Sequence, residues 1–179
     1  MSNAYFYGLG FGLLLAVAAA VIVAVLARKT GAAGGGYDER QVAERGRAYR
    51  AGFFTALAAL VLWACSSGAG LDLFDVPSGC ALCLCLAILV YAGVAIFRDA
   101  YLRSGDRPGF HLILFFALAA INLYPGARAI AKGNFLTDGR VTIENGCSVN
   151  FPIGVLLLAV ALMLLIKQLI DKRTERDDR

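Results

Sequence analysis

Charge is scarce in this sequence, and it is missing where a coupled ion pathway would need it. Asp, Glu, Lys and Arg make up 17% of the 179 residues, and none lies deep inside the long apolar blocks. Intramembrane ionisable side chains are the usual mark of proton relays and ion pathways. Their absence argues against an ion-coupled transporter made by this chain alone. Histidine is nearly lacking as well. His111 stands alone at the start of one apolar block, and the chain has no Ser-His-Asp grouping and no H-E-x-x-H zinc motif. No metal site is expected. The glycine-rich run from Gly31 to Gly36 lacks the G-K-[ST] of a phosphate-cradling loop and reads as a flexible linker. No Lys or Arg precedes the first apolar block, so it lacks the basic start of a signal peptide and is expected to be retained.

Hydrocarbon is what the chain has in abundance. Hydrophobic residues make up 59%, and the mean hydropathy is +0.69. They fall into five blocks, at about residues 4–27, 51–67, 80–97, 110–127 and 151–170. Each is long enough, or nearly so, to cross ~30 Å of hydrocarbon. Only helices and closed barrels satisfy their backbones in lipid, and these blocks lack the alternation of barrel strands. The sequence therefore predicts an all-α integral membrane protein, a single membrane domain over residues 1–179 with five transmembrane helices. Pro125, in Tyr124-Pro125-Gly126, is expected to kink or end the fourth.

Basic residues set the orientation. Fourteen of the 17 Lys and Arg fall in the loop 28–50, the short loop after the third block and the charged stretch Lys167–Arg179. Arg128, Lys132 and Arg140, in the loop 128–150, are the rest. The positive-inside rule then puts the N-terminus outside and the C-terminal tail 171–179 in the cytoplasm, with 128–150 as the outer loop. The net charge of +4 belongs to these loops and does not point to nucleic acid.

The stretch Tyr37–Thr55 organises the chain. Asp38 and Gln41 have the spacing of a capping box. Val42, Gly46, Tyr49 and Phe53 recur at helical spacing with little charge, and Arg40, Glu44 and Arg47 line another face. This predicts a short amphipathic cytoplasmic helix continuous with the second span. Arg40, Arg47, Tyr49 and Arg50 are the candidates for contact with headgroups or a partner protein. Elsewhere Gly8, Gly12, Ala16 and Ala20 form a small-residue ridge on the first span that suits close helix packing. Asn122, the one strongly polar side chain well inside a span, is expected to hydrogen-bond a neighbouring helix. Trp63 reads as an interfacial anchor. Asp138-Gly139, within Leu136–Val141, suits the tight turn of a small outer β-hairpin.

Five cysteines remain. Cys65, Cys80, Cys83, Cys85 and Cys147 all fall toward the outer half in this topology. A structural disulfide between Cys147 and Cys65 or Cys80 is the first expectation. Cys80 and Cys83 form a C-x-x-C on one helix face. That pair resembles membrane thiol oxidoreductases of the vitamin K epoxide reductase and disulfide-bond-formation type. The resemblance implies catalytic Cys80 and Cys83 with quinone as cofactor; otherwise no cofactor is expected. Cysteine in an alanine- and leucine-rich helix is also an ordinary small apolar residue.

The larger resemblance lies in D-E-R-Q at Asp38–Gln41, R-G-R-A-Y at Arg45–Tyr49 and G-F-F at Gly52–Phe54. This stretch resembles a group of small uncharacterised bacterial multi-pass membrane proteins with a D-E-R-Q helix in a cytoplasmic loop. It implies kinship and no activity. The sequence thus reads as a non-enzymatic membrane component that contacts membrane lipids, another membrane protein or a second copy of itself. The rival readings are the quinone-linked thiol oxidoreductase and a membrane subunit of a small-molecule exporter.

Overall fold

The structure, a computed structural model, describes residues 37–102, 108–136, 139–142 and 149–177. Four helices follow one another: α1 (Glu39–Gly68), α2 (Val76–Phe97), α3 (Pro108–Ala131) and α4 (Asn150–Asp177). All four are long and apolar enough to cross a membrane. They belong to one compact unit, Tyr37–Arg179. The first expected span, with Gly8, Gly12, Ala16 and Ala20, lies outside the described residues, as does Cys147.

Local chemistry sets the helix ends. The Asp38 carboxylate accepts from Gln41 N at 2.6 Å, and Gln41 Oε1 accepts from Asp38 N at 3.3 Å. The capping box is complete and satisfies two of the donors that a helix start leaves orphaned. From there α1 runs 30 residues without a break, about 45 Å at 1.5 Å per residue. The polar helix and the second span are therefore one rod. α2 is capped by Asp75, whose carboxylate accepts from Ser78 N at 3.0 Å. Pro77 falls in the first turn, where its missing N–H costs nothing. These two residues start α2 at Val76, four residues ahead of the apolar block at Cys80. α3 continues through Pro125 to Ala131 instead of ending at the proline. Membrane helices tolerate such a residue when side chains and neighbouring helices re-satisfy the freed backbone.

Of the segment where a hairpin is expected, residues 137–138 and 143–148 lie outside the described residues, and Val141 pairs elsewhere. Val141 bridges Phe74 in parallel, with Val141 N donating to Leu73 O at 2.9 Å and Asp75 N to Val141 O at 3.1 Å. Arg140 reaches Asp72 at 3.3 Å. Gly139 has the positive φ, 77°, that an Asp-Gly turn asks for. The segment after that turn is thus tied to the α1–α2 loop, whose backbone groups would otherwise be unpaired. No strand is formed among the described residues.

α1 packs on α2, α2 on α4, and α3 on α4. The two central helices have 28% of their apolar windows buried, against 6% in α1 and 11% in α3. The core is Ala92 and Ile96 of α2 against Leu156, Val160 and Leu164 of α4. Lipid supplies little hydrophobic force between helices, so close approach matters. It is made by glycines. A Cβ on Gly154 would stand 2.8 Å from Leu123 N, and one on Gly52 would stand 3.1 Å from Ala87 O. Ala48, one turn before Gly52, is fully buried. Ala48-x-x-x-Gly52 is therefore the small-residue contact of α1, and it lies off the Val42–Phe53 stripe, whose Val42, Tyr49 and Phe53 are all exposed.

The register of α1 on α2 shifts one boundary. Trp63 covers Gly79, Gly52 meets Tyr91, and Glu44 meets Arg98. Arg47 and Arg50 therefore run beside the last apolar turns of α2. The helix does not become polar only after α2 has ended, as a span beginning at Ala51 implies.

Candidate functional site

The ends of α1, α2 and α4 meet in a polar junction around Asp99. Three helices close with the same backbone pattern, in which one left-handed residue follows the helix and two amides turn back. At α1 that residue is Gly70, with φ 80°; at α3 it is Gly133, with φ 71°. At α2 it is Asp99, with φ 56°. Asp99 N donates to Ile96 O at 3.2 Å and Ala100 N to Ala95 O at 2.8 Å. A residue with a Cβ pays roughly 1–2 kcal/mol there, which is why glycine is usual.

Asp99 is held in place from two sides. Lys167 Nζ lies 2.9 Å from Asp99 Oδ1 and 2.6 Å from Asp171 Oδ1. Gln41 Nε2 donates to Asp99 O at 2.8 Å, so the capping residue of α1 also clamps the end of α2. Glu44 adds a second tie, at 2.9 Å from Arg47 and 3.0 Å from Arg98. Tyr37 donates to Tyr101 O at 3.4 Å, and the Arg45 guanidinium lies 4.0 Å above the Tyr37 ring. Burial pushes the Tyr101 phenol up, with Tyr37 adding to the shift. Each exposed ion pair contributes at most about 1 kcal/mol, so the junction positions helix ends more than it drives folding.

The sequence candidates divide on this geometry. Arg40 and Arg50 are exposed and form no ion pair with a described residue. Arg47 is partly neutralised by Glu44. Tyr49 stacks on Tyr91, with ring centroids 4.7 Å apart, which ties α1 to α2. Asn122 turns back on its own helix and donates to Leu118 O at 2.8 Å, where a bond to a neighbouring helix was expected. In an apolar setting the carbonyl one turn away is the nearest partner.

Cys65, Cys80, Cys83 and Cys85 carry free thiols. Cys83 and Cys85 are buried, and Cys80 is half-buried. Cys80 is the fifth residue of α2, past its first turn. The disulfide expected at Cys147 falls outside the described residues. Among the described residues no three His, Cys, Asp or Glu side chains gather as metal ligands.

At the other end of the bundle two apolar grooves flank α2. One, of about 410 Å³, lies against α1 and is lined by Trp63 and Cys83. The other, of about 380 Å³, lies against α4. Its wall holds Ser78, which is 1% exposed and whose Oγ has no hydrogen-bond partner. An unmet buried hydroxyl costs on the order of 1–3 kcal/mol.

Sequence reasoning found the capping box and the exposed arginines. It missed Asp99, Lys167 and Ser78, and no local pattern marks any of them. Ala48-x-x-x-Gly52 could have been found, since small residues four apart are a packing signal. No family model, no curated protein and no solved structure matches this chain.

Proposed function

We propose that this chain is a non-enzymatic multi-pass component of a bacterial cytoplasmic membrane. Its α1 cations contact anionic headgroups or the acidic surface of another membrane protein. Five spans belong to the same proposal and rest on the five apolar blocks, and an outer N-terminus and a cytoplasmic tail rest on the basic-residue bias. Kinship with the D-E-R-Q group belongs to it too and rests on the residues from Asp38 to Phe54.

One observation carries the reading. At 100° per residue, Arg40, Arg47 and Arg50 fall within about 80° of arc on α1, away from the Ala48–Gly52 side that meets α2. Asp38 and Gln41 of D-E-R-Q are used internally, in the capping box and at Asp99. Arg40 is left facing out. Arg47 and Arg50 stand beside apolar turns, a depth from which long cationic side chains reach back to headgroups. The oxidoreductase reading rests on the C-x-x-C of Cys80 and Cys83. The exporter reading rests on the sequence alone.

Binding to anionic vesicles by the purified protein tests the proposal. Each cation near such a surface contributes about 1 kcal/mol. Arg40→Gln with Arg50→Gln should therefore weaken capture of anionic over zwitterionic vesicles by about tenfold or more, and flatten its salt dependence. Unchanged capture, together with no acidic partner protein lost on co-purification, would remove the role assigned to these residues.

A further inference from the structure

We propose that the groove between α2 and α4 holds one acyl chain of an ester-linked membrane lipid, with Ser78 Oγ donating to the ester carbonyl. The proposal rests on the membrane reading above.

The groove has the shape of a chain. Its α2 wall is Ser78, Leu82, Cys85, Leu86 and Leu89, which recur at helical spacing along one face. From Ser78 to Leu89 that face runs about 16 Å at 1.5 Å per residue. A volume of about 380 Å³ spread over such a length is a slot. Pro152, Val155 and Leu156 of α4 form the facing wall, and neither α1 nor α3 lends a residue. Phe74, Phe135, Val141 and Phe151 gather at the end where the Arg140–Asp72 pair lies.

Among the described residues the slot has one polar side chain, and it is at the correct depth. Ser78 is the third residue of α2, next to the capping Asp75 and so at the end of the apolar rod. There the hydrocarbon of a bilayer gives way to ester groups and headgroups. Its backbone N–H is already bonded to Asp75. Its hydroxyl is buried without a partner, and buried hydroxyls almost always have one. A rotation of the Ser78 side chain about its Cα–Cβ bond turns the buried hydroxyl to the slot, where a carbonyl carried in at the head of an apolar chain supplies that acceptor. Below Ser78 the wall is apolar throughout, as a hydrocarbon tail requires. Among the described residues no lysine or arginine of the kind that marks a charged-headgroup site lines the slot, so recognition is of chain and ester.

Native mass spectrometry on protein released from detergent decides the matter, using diacyl phosphatidylethanolamine and its diether counterpart as probes. After delipidation the parent protein should retain one diacyl lipid about three- to tenfold more strongly than the diether lipid, the worth of one hydrogen bond. Ser78→Ala, which removes a single oxygen, should bind both equally and at the weaker level. Val155→Phe, which fills the slot from a position already 46% exposed, should lose the retained lipid. Equal retention of the two lipids by the parent overturns the proposal. So does a Val155→Phe protein that keeps its lipid, or a different apolar molecule in the parent with no ester lipid. Should Val155→Phe fail to fold, the Ser78→Ala comparison still decides. Resistance to extraction by alkaline carbonate is measured alongside: a protein that leaves the membrane without detergent sinks the membrane reading, whereas one that stays but holds no ester lipid sinks this proposal alone.

Discussion

At the scale of single residues, Asp99 is where local preference and tertiary demand disagree. Gly70 and Gly133 occupy the matching positions of α1 and α3, where a left-handed backbone costs them nothing. Asp99 accepts that cost and its side chain in return joins α2 to Lys167. Asp99→Gly should relieve the backbone while losing the Lys167 pair, so its melting temperature in detergent should stay near the parent's or above it. Asp99→Ala keeps the strain and loses the pair, and should be less stable than Asp99→Gly by about 1–2 kcal/mol. Equal melting of the two variants would mean that the backbone at this position is not under strain. Nothing in Phe97-Arg98-Asp99-Ala100 announces this role, because Lys167 is supplied by another helix.

At the scale of helices, glycine identity is legible in the sequence and glycine function is not. Gly46 and Gly154 are both helical, the first between Arg45 and Arg47 and the second between Ile153 and Val155, and neither setting states how near another backbone comes. A Cβ at Gly46 meets nothing within 4 Å, whereas one at Gly154 would stand 2.8 Å from Leu123 N. Gly46→Ala should stabilise the protein by about 0.4–1 kcal/mol through lost freedom of the unfolded chain. Gly154→Ala has to push α3 from α4 and should destabilise by about 1–3 kcal/mol. Thermal unfolding in one detergent reads both, and shifts of the same sign would contradict the packing of α3 on α4. The span boundaries behave similarly. The four apolar blocks among the described residues each fall within one helix, but α2 begins at Val76 because of Asp75 and Pro77, and α3 outlasts Pro125.

At the scale of the whole molecule, the four described helices alternate in direction, so the end of α4 lies with Asp99 and Gly139 lies with Phe74. The basic bias then assigns sides. A reporter fused after Arg179 should be active only in the cytoplasm, and one inserted at Gly139 only outside. Activity on the same side at both sites would break the alternation, and reversal at both would break the positive-inside assignment.

The sequence by itself determined the all-helical membrane-spanning character, the positions of the described spans and the Asp38–Gln41 cap. Each follows from apolar length or from hydrogen bonds within one turn. Tertiary structure alone decided that Val141 pairs with Phe74, that Gln41 and Lys167 meet at Asp99, and that Ser78 faces a slot between α2 and α4. The physical reason is the solvent. In water an apolar face must turn inward, so periodicity names the packed side. In lipid every apolar face is equally at ease, and only close approach and paired polar groups choose between them.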